Sequence, residues 1–575
     1  ALLAYVALNA AAGLYTSFGT FSAGEFGKIF AAFSACAIVI FRLRRERFAG
    51  FAAMFAGVSG AYALISIDAS SLRVISDLFV LVMNRMGCAY KLSEMGYEAG
   101  VRVTGVFGNA NILGGILALG VFLALFLVFF AKSGRGRFGG CLLLGINALG
   151  FILAFSMGAI AMFVVSALIY LLAAARGDRL PLFLLMVETA VITVVMTFLA
   201  FPFLGGSGAA AALPVLAAPL GGVLLWLVHS FAGLRLSARL NQHKKAAGAV
   251  IAVLVVLAGA YVLLGYNLAG SYDFQAGESL RRSVYPAGGE YTLEVDTGSP
   301  DAFTVVIESQ NEAETMMHTS TRLYSGPLAE AAFTVSEDST VVYLTITARE
   351  QASLESCSLS DGTAVRLGYT LLPGFAANRI QGLWANENAI QRTVFFRDGL
   401  RIFAKSPIIG NGLGSVEGLV TSVQDFYYES RYVHNHYIQV LAEMGVVGLA
   451  VFVLLLGSCA VTLFKRRREG EADPLLPALC ACLAMIALHA CVEAVWSISV
   501  YQTMALLVVA GIIACCGRPI ARLTGKAVGI LVNVALWVFA AVFAFLLYGN
   551  IYAVDRYAKI QAGLVQQSAN TMTEA

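Results

Sequence analysis

Charge is scarce in this sequence: 13% of its 575 residues are Asp, Glu, Lys or Arg, where a soluble domain carries about 25%. That scarcity excludes a single water-soluble globular fold. Zinc-type cysteine and histidine spacings are missing, and the long polar segment before Tyr437 has no Asp-x-Asp pair, so no metal is implied and no cofactor is called for. The net charge of +3 is too small to argue for nucleic-acid binding, and in a chain of this kind positive charge reports orientation. The first residue is Ala1, not methionine, and the chain stops in a polar stretch at Ala575, which reads as a trimmed fragment.

What is abundant is apolar length. Hydrophobic residues make up 59% of the chain, gathered in runs long enough to cross about 30 Å of hydrocarbon at about 1.5 Å per helical residue. The chain therefore reads as an all-α polytopic membrane protein. Basic loops at Arg42–Arg47, Lys132–Arg137, Arg176–Arg179, Arg235–Lys245, Lys465–Arg468 and Arg518–Lys526 are assigned to the cytoplasm by the positive-inside rule. Apolar runs then fall at about 2–19, 26–41, 51–67, 106–131, 141–155, 158–175, 182–204, 213–232 and 248–268, and after Tyr437 at 475–497, 499–517 and 527–548. With the run that ends at Lys465 this makes about 13 spans, in a range of 12–14, and it puts residues of roughly 269–436 outside the cell. The divisions are 1–268, a first bundle; 271–372, an insert; 373–436, an outer loop; 437–548, the last spans; and 549–575, a polar tail.

The insert changes period. Tyr291–Val295, Phe303–Ile307 and Val341–Ile346 are β-branched or alternate apolar with polar, and Gly, Pro, Ser and Asp separate them. This predicts a small extracytoplasmic β-sandwich. Its 15 Asp and Glu against 5 Arg and no Lys suit an exposed outer domain. Tyr285, Tyr291, Tyr324 and Tyr343 could stack on sugars, although a spacer whose aromatics fill its own core accounts for them more simply. Most of the ten cysteines sit in apolar runs as small hydrophobes. Only Cys88 and Cys357 fall outside the cell, where a disulfide between them is conceivable.

The informative stretch is Tyr432–Gly448, which runs into a span. His434 stands just before the helix, with Asn435 as a candidate cap, beside the unpaired N–H groups that favour anions. On its own a boundary histidine reads first as an interfacial anchor. His489 and Glu493 lie four apart, hence on one helix face, where they either pair with each other or support a site from below. Glu188, near the inner end of its span, reads as structural.

The whole pattern resembles the O-antigen ligase and O-antigen polymerase superfamily of membrane glycosyltransferases. His434 and Asn435, nine residues, then Gly445 and Gly448 match the family's signature. Arg392 to Leu400, continuing to Pro407-Ile408-Ile409-Gly410-Asn411-Gly412, is similar to its arginine, amphipathic helix and Pro-x-x-Gly-x-Gly arrangement. Arg102-Val103-Thr104-Gly105-Val106-Phe107-Gly108-Asn109-Ala110-Asn111 resembles its Arg-x-x-Gly-x-Phe-x-Asn-x-Asn motif. The likeness runs from about 100 to 500, leaving the β insert uncovered. Ser156-Met157-Gly158 stands where the family usually has Ser-Arg-Gly, which removes one possible cationic contact.

The resemblance implies a GT-C-like fold in a bacterial inner membrane and a glycan donor carried on undecaprenyl diphosphate. It also implies transfer to an acceptor hydroxyl on a glycan, a lipid-anchored core or a protein. Such chemistry needs fixed cations for the leaving diphosphate and a base for the incoming hydroxyl. Arg392 is the first choice for the diphosphate, with Arg102, Arg379 and Arg397 further candidates, because guanidinium binds phosphate bidentately. For Arg392 a solvated charge or a headgroup anchor weighs evenly with this role, and for Arg379 and Arg397 it weighs more. His434 takes the base role or a diphosphate contact, Asn435 and His436 stand beside it, and His489 and Glu493 support it. A polymerase, a lipid-linked-glycan transporter and a non-catalytic glycan sensor are the rivals.

Overall fold

The computed structural model describes residues 1–86, 96–98, 102–371, 387–469, 473–518, 527–542, 544–545 and 548–549. They are mostly helical, with strands in antiparallel sheets. Among them, 8 helices are long and apolar enough to cross a membrane, and five shorter apolar helices occupy the remaining predicted runs. The chain divides into two compact units, one of residues 1–244, 402–418 and 434–575, the other of residues 245–401 and 419–433.

The first unit is a helical bundle: α1 (Leu2–Tyr15), α2 (Gly19–Arg42), α3 (Phe48–Ala69), α4 (Val74–Arg85), the hairpin β1 (Gly96–Glu98) and β2 (Arg102–Gly105), α5 (Ala110–Phe129), α6 (Gly134–Leu153), α7 (Met157–Ala173), α8 (Arg179–Ala200), α9 (Ala212–Val228) and α10 (Leu234–Gln242). Helix α5 is its centre. It is apolar all round, as expected of a helix enclosed by others, and it packs on α3, α6 and α7. A π-helical turn at His229–Gly233 joins α9 to α10. There His229 Nδ1 meets Glu188 at 2.8 Å, and a Cβ on Gly233 would stand 2.1 Å from the Glu188 carboxylate. Glu188 is thus paired inside the bundle, in keeping with a structural role.

Among the departures from the predicted runs are the start of α2 and the presence of α4. Helix α2 starts seven residues earlier than the apolar run, because its Glu25 and Lys28 neutralise each other at 2.6 Å, one turn apart. Helix α4 was not predicted. Its buried capping group is Asp68, which accepts from Val74 N at 3.3 Å and from Ser76 N at 2.7 Å, and Val74, Leu78 and Leu81 remain exposed.

The second unit begins with α11 (Lys244–Asn267) and continues into the strands β3 (Ala269–Gly270), β4 (Tyr272–Phe274), β5 (Ser279–Val284), β6 (Gly289–Asp296) and β7 (Phe303–Gln310). After α12 (Glu312–Met317) come β8 (Thr321–Pro327), β9 (Ala332–Val335), β10 (Val341–Ala348), β11 (Ala352–Leu354), β12 (Ser356–Leu359) and β13 (Gly368–Tyr369). The larger sheet has the order β5-β10-β7-β8 and the next β12-β6-β9, all antiparallel. Alternate residues Phe303, Val305 and Ile307 of β7 and Val342, Leu344 and Ile346 of β10 point inward, and they share one core with Leu293, Phe333 and Leu359 of the smaller sheet. Cys357 is a buried free thiol in that core, and Cys88, its possible partner, lies outside the described residues. Of the four tyrosines, Tyr291 stacks on Phe333 with ring centroids 6.0 Å apart and Tyr343 lies under Arg281, whereas Tyr285 is exposed.

The helix α13 (Glu387–Lys405) and the short α14 (Ser415–Leu419) follow, then α15 (His436–Arg468), α16 (Leu475–His489) and α17 (Ser499–Cys516).

Candidate functional site

His434 opens the site. Its backbone adopts φ 59°, the left-handed region that a residue with a Cβ seldom occupies. Asn435 is then the N-cap of α15, its side-chain oxygen accepting from Tyr437 N at 3.0 Å and Ile438 N at 3.2 Å. Its amide nitrogen donates to Cys491 O at 2.8 Å, and His436 N donates to Ala490 O at 2.8 Å. These last two bonds explain why the run predicted as one span over 475–497 is not one helix. Helix α16 stops at His489, and the carbonyls beyond it are taken by the signature residues.

Ending α16 there swings Glu493 off the helix. Its Oε1 lies 2.5 Å from His434 Nδ1 and also accepts from Ala494 N at 3.1 Å, while Oε2 accepts from Asn111 Nδ2 at 2.5 Å. Asn111 Oδ1 in turn accepts from Ser156 Oγ at 2.7 Å. The Glu493 side chain is 4% exposed and that of His434 32%, so a buried carboxylate carries a half-open imidazole. An ionised carboxylate only accepts, so opposite it Nδ1 is the nitrogen that bears hydrogen, and a ring carrying a single hydrogen there has Nε2 as its acceptor. His489 is fully buried against Tyr501, with ring centroids 5.9 Å apart, and its backbone oxygen accepts from Glu493 N at 3.1 Å.

His436 points away, as its place in the helix predicts. It is buried, stacked on Trp496 at 5.6 Å and edge-on to Phe452 at 5.0 Å, in the core and not on an open face.

The Gly-x-x-Gly half of the signature is a break in α15. Gly445 has φ 64° and ψ −164°, and a Cβ there would stand 2.2 Å from Ile408 O. The break frees the carbonyls of Ala442 and Glu443, and the loop Pro407–Gly414 replaces the lost helical bonds. Asn411 N donates to Ala442 O at 3.1 Å and Gly412 N to Glu443 O at 2.8 Å, while Val446 N and Val447 N donate to Pro407 O at 2.9 Å and Ile408 O at 3.2 Å. The Glu443 side chain accepts from Gly414 N at 3.0 Å and from Gln439 Nε2 at 2.9 Å. The two glycine motifs are thus one joint.

The motif at Arg102–Asn111 resolves in the same way. Gly105 has φ 61° and approaches Ser66 so closely that a Cβ would lie 2.1 Å from its hydroxyl. Asn109 caps α5 through Asn111 N at 2.8 Å and Ile112 N at 3.3 Å, and Asn111 reaches Glu493. Arg102 sits half-buried on β2, opposite Glu98.

The remaining arginines belong to the second unit or to no described residue. Arg379 lies outside the described residues. Arg392 is half-buried on α13. Arg397, one of the proposed phosphate ligands, pairs with Glu312 at 2.8 Å and with Asp425 at 3.4 Å, and its hydrogen bond to Glu312 above all raises its pKa further. Arg401 pairs with Asp398 and with Asp425 at 3.0 Å each. The buried Asp398 also accepts from Tyr428 Oη at 2.7 Å, and burial together with that carboxylate pushes the phenol's pKa upward. This network ties α13 to residues 419–433, and the charge of Arg397 is spent within it.

Comparison with protein families bears on this joint directly. Residues 332–453 match the model of the O-antigen ligase family. The match supports the O-antigen ligase and polymerase superfamily and a role of that kind for this membrane protein. It contains Arg392, the glycine loop, His434 and the Gly445 break, and it begins inside the β unit, at β9, which the motifs had left uncovered. No curated protein and no solved structure matches the chain.

Proposed function

We propose that this chain is a membrane glycosyltransferase of the O-antigen ligase type. It moves a glycan from undecaprenyl diphosphate to an acceptor hydroxyl at the outer face of a bacterial cytoplasmic membrane. The observation that carries the reading is the Glu493 carboxylate on His434 Nδ1, because it leaves the opposite ring nitrogen as a proton acceptor. In the step proposed, the acceptor oxygen attacks the anomeric carbon, its proton passes to His434 Nε2, and the carbon–oxygen bond to the diphosphate breaks. The donor's undecaprenyl diphosphate leaves. The resulting imidazolium is stabilised by Glu493, as an oriented base–carboxylate pair requires.

Charge on the leaving diphosphate calls for cations, and Arg392 is the first candidate, with Arg102 and Arg379 behind it. Asn435 holds the base in place as a cap, and His489 packs beneath. No metal is required in this scheme. The β unit is read as an extracytoplasmic sandwich and the whole as GT-C-like. An oriented imidazole fits group transfer better than transport, which needs a polar path across the bilayer.

The test uses membrane vesicles containing the full chain and an undecaprenyl-diphosphate-linked oligosaccharide. His434→Ala and Arg392→Ala should each abolish transfer while the protein stays folded in the membrane. Transfer at the unmodified rate in both would refute the catalytic assignment.

A further inference from the structure

The hydrogen-bond chain behind His434 is longer than a base–carboxylate pair needs, and it begins at a helix cap. Ser156 caps α7, its Oγ accepting from Ala159 N at 3.3 Å. Its hydrogen goes to Asn111 Oδ1, at 2.7 Å. With its oxygen so engaged, the Asn111 amide presents N–H to Glu493 Oε2 at 2.5 Å. Oε1 receives Ala494 N and His434 Nδ1. Every donor in the sequence Ala159, Ser156, Asn111 points toward Glu493, and three donors converge on its two oxygens. An ionised carboxylate, acceptor on both oxygens, meets all three without needing a partner for a hydrogen of its own.

We propose that Asn111 and Ser156 are positioning residues for this site: together they lock the Glu493 carboxylate, and through it the orientation and tautomer of His434. The inference rests on the base role proposed for His434. It gives the Arg-x-x-Gly-x-Phe-x-Asn-x-Asn motif a purpose at its last residue, and the Ser156-Met157-Gly158 hairpin one at its first. The chain is held from both ends by uncommon backbone. Phe155, which delivers Ser156, has φ 43°, and His434 has φ 59°, two of the four non-glycine residues with positive φ among those described.

Titratable groups on the described segments flanking the pair include Arg431 and Tyr432 just before His434, and His489, Cys491, Tyr437 and Tyr501. His489 packs on Tyr501 and on α5, where a Cβ at Gly115 would stand 2.7 Å from its Nδ1. Tyr437 donates to Ala487 O at 3.0 Å, and the Cys491 thiol faces the same carbonyl at 3.6 Å.

The test is donor kinetics in vesicles, with an undecaprenyl-diphosphate-linked oligosaccharide, for Asn111→Ala, Asn111→Asp and Ser156→Ala. Asn111→Ala should lower kcat about 10–100-fold, the size seen when the orienting partner of a functional group is removed, with donor KM unchanged. Asn111→Asp sets a second carboxyl against Glu493. Protonated, that carboxyl donates an O–H as the amide does, so the activity of this variant relative to the unmodified protein should rise as pH falls. Ser156→Ala should lower kcat less, because Asn111 keeps its bond to Glu493. If Asn111→Ala does not accumulate in the membrane, the pH dependence of Asn111→Asp and the kcat of Ser156→Ala carry the test.

Unchanged kcat in Asn111→Ala and Ser156→Ala would overturn the positioning role, as would a deficit in Asn111→Asp that is flat with pH. In both cases an inactive His434→Ala would leave the base assignment standing. Transfer by His434→Ala would instead remove the reading on which the inference rests.

Discussion

Glu493 Oε1 stands 2.5 Å from Nδ1 of His434, 59 residues earlier in the chain. Two segments have to be broken to bring them together. His434 takes a left-handed backbone ahead of α15, and α16 ends at His489, so that Glu493 leaves the helix axis.

Replacing Glu493 by glutamine tests that pairing. The amide keeps the shape and loses the charge, and it can turn its NH2 toward Nδ1, which favours the wrong tautomer. In a serine protease the equivalent change costs about 10⁴-fold in kcat. For Glu493→Gln we expect a fall in transfer rate of about 10² or more, with the amount of folded protein in the membrane unchanged.

Gly445 and Gly410 should tolerate no side chain. Both have positive φ, and an added Cβ would stand 2.2 Å from Ile408 O at Gly445 and 2.3 Å from the Glu443 backbone at Gly410. Backbone cannot yield as a flexible side chain does. Gly445→Ala and Gly410→Ala should each destabilise by about 3 kcal/mol or more, read as a lower melting temperature in detergent or as loss of folded protein. Gly457→Ala, in the same helix with open space around it, is the control and should be neutral or slightly stabilising.

Asn435→Ala removes a cap with two N–H partners and a bond to Cys491 O. The expected cost is about 1–2 kcal/mol. Asn435→Asp keeps the capping oxygen but sets a carboxylate oxygen against Cys491 O, so it should recover the capping part only, a difference visible in thermal unfolding followed by tryptophan fluorescence.

Tyr428 gives the second unit a defined response to alkali. Its phenol is raised from the ordinary value of 10.0 by burial and by Asp398. A group whose pKa is higher in the fold than in the unfolded chain contributes stability that is complete below its ordinary value and declines as pH rises above it. Stability should therefore fall above about pH 10. Tyr428→Phe should flatten that decline and lower stability at pH 8 by about 1.5–3 kcal/mol, the worth of a hydrogen bond to a charged group. Chemical denaturation at two pH values measures both.

Much of this architecture was legible in the sequence, for particular reasons. Apolar length marks spans, so a helix falls on every predicted run, and the β-branched alternation of Phe303–Ile307 and Val341–Ile346 marks strands that pair as β7 and β10. The Asn435 cap was readable because an Asn before an apolar run is a local signal. What stayed hidden depended on long-range contacts. His489 and Glu493 share a helical spacing of four, which suggested either mutual pairing or support of a site from below, but a helix end cannot be placed from apolarity alone, and α16 stops at His489 so that the Glu493 carboxylate meets His434. Asn111 was visible inside a motif without a role, since nothing in Asn-x-Asn spacing says that the first caps and the second reaches a carboxylate 382 residues away. Arg397 matched the expected chemistry by type, yet its acidic neighbours Glu312 and Asp425 come from distant segments. The helix α4 escaped because it is too short for a span.

The most direct test of the account is the rate at which the full chain, in membrane vesicles, transfers glycan from an undecaprenyl-diphosphate-linked oligosaccharide, compared with His434→Ala. The account predicts transfer by the unmodified protein and none above background by the variant at equal membrane content. Equal rates from the two would contradict it.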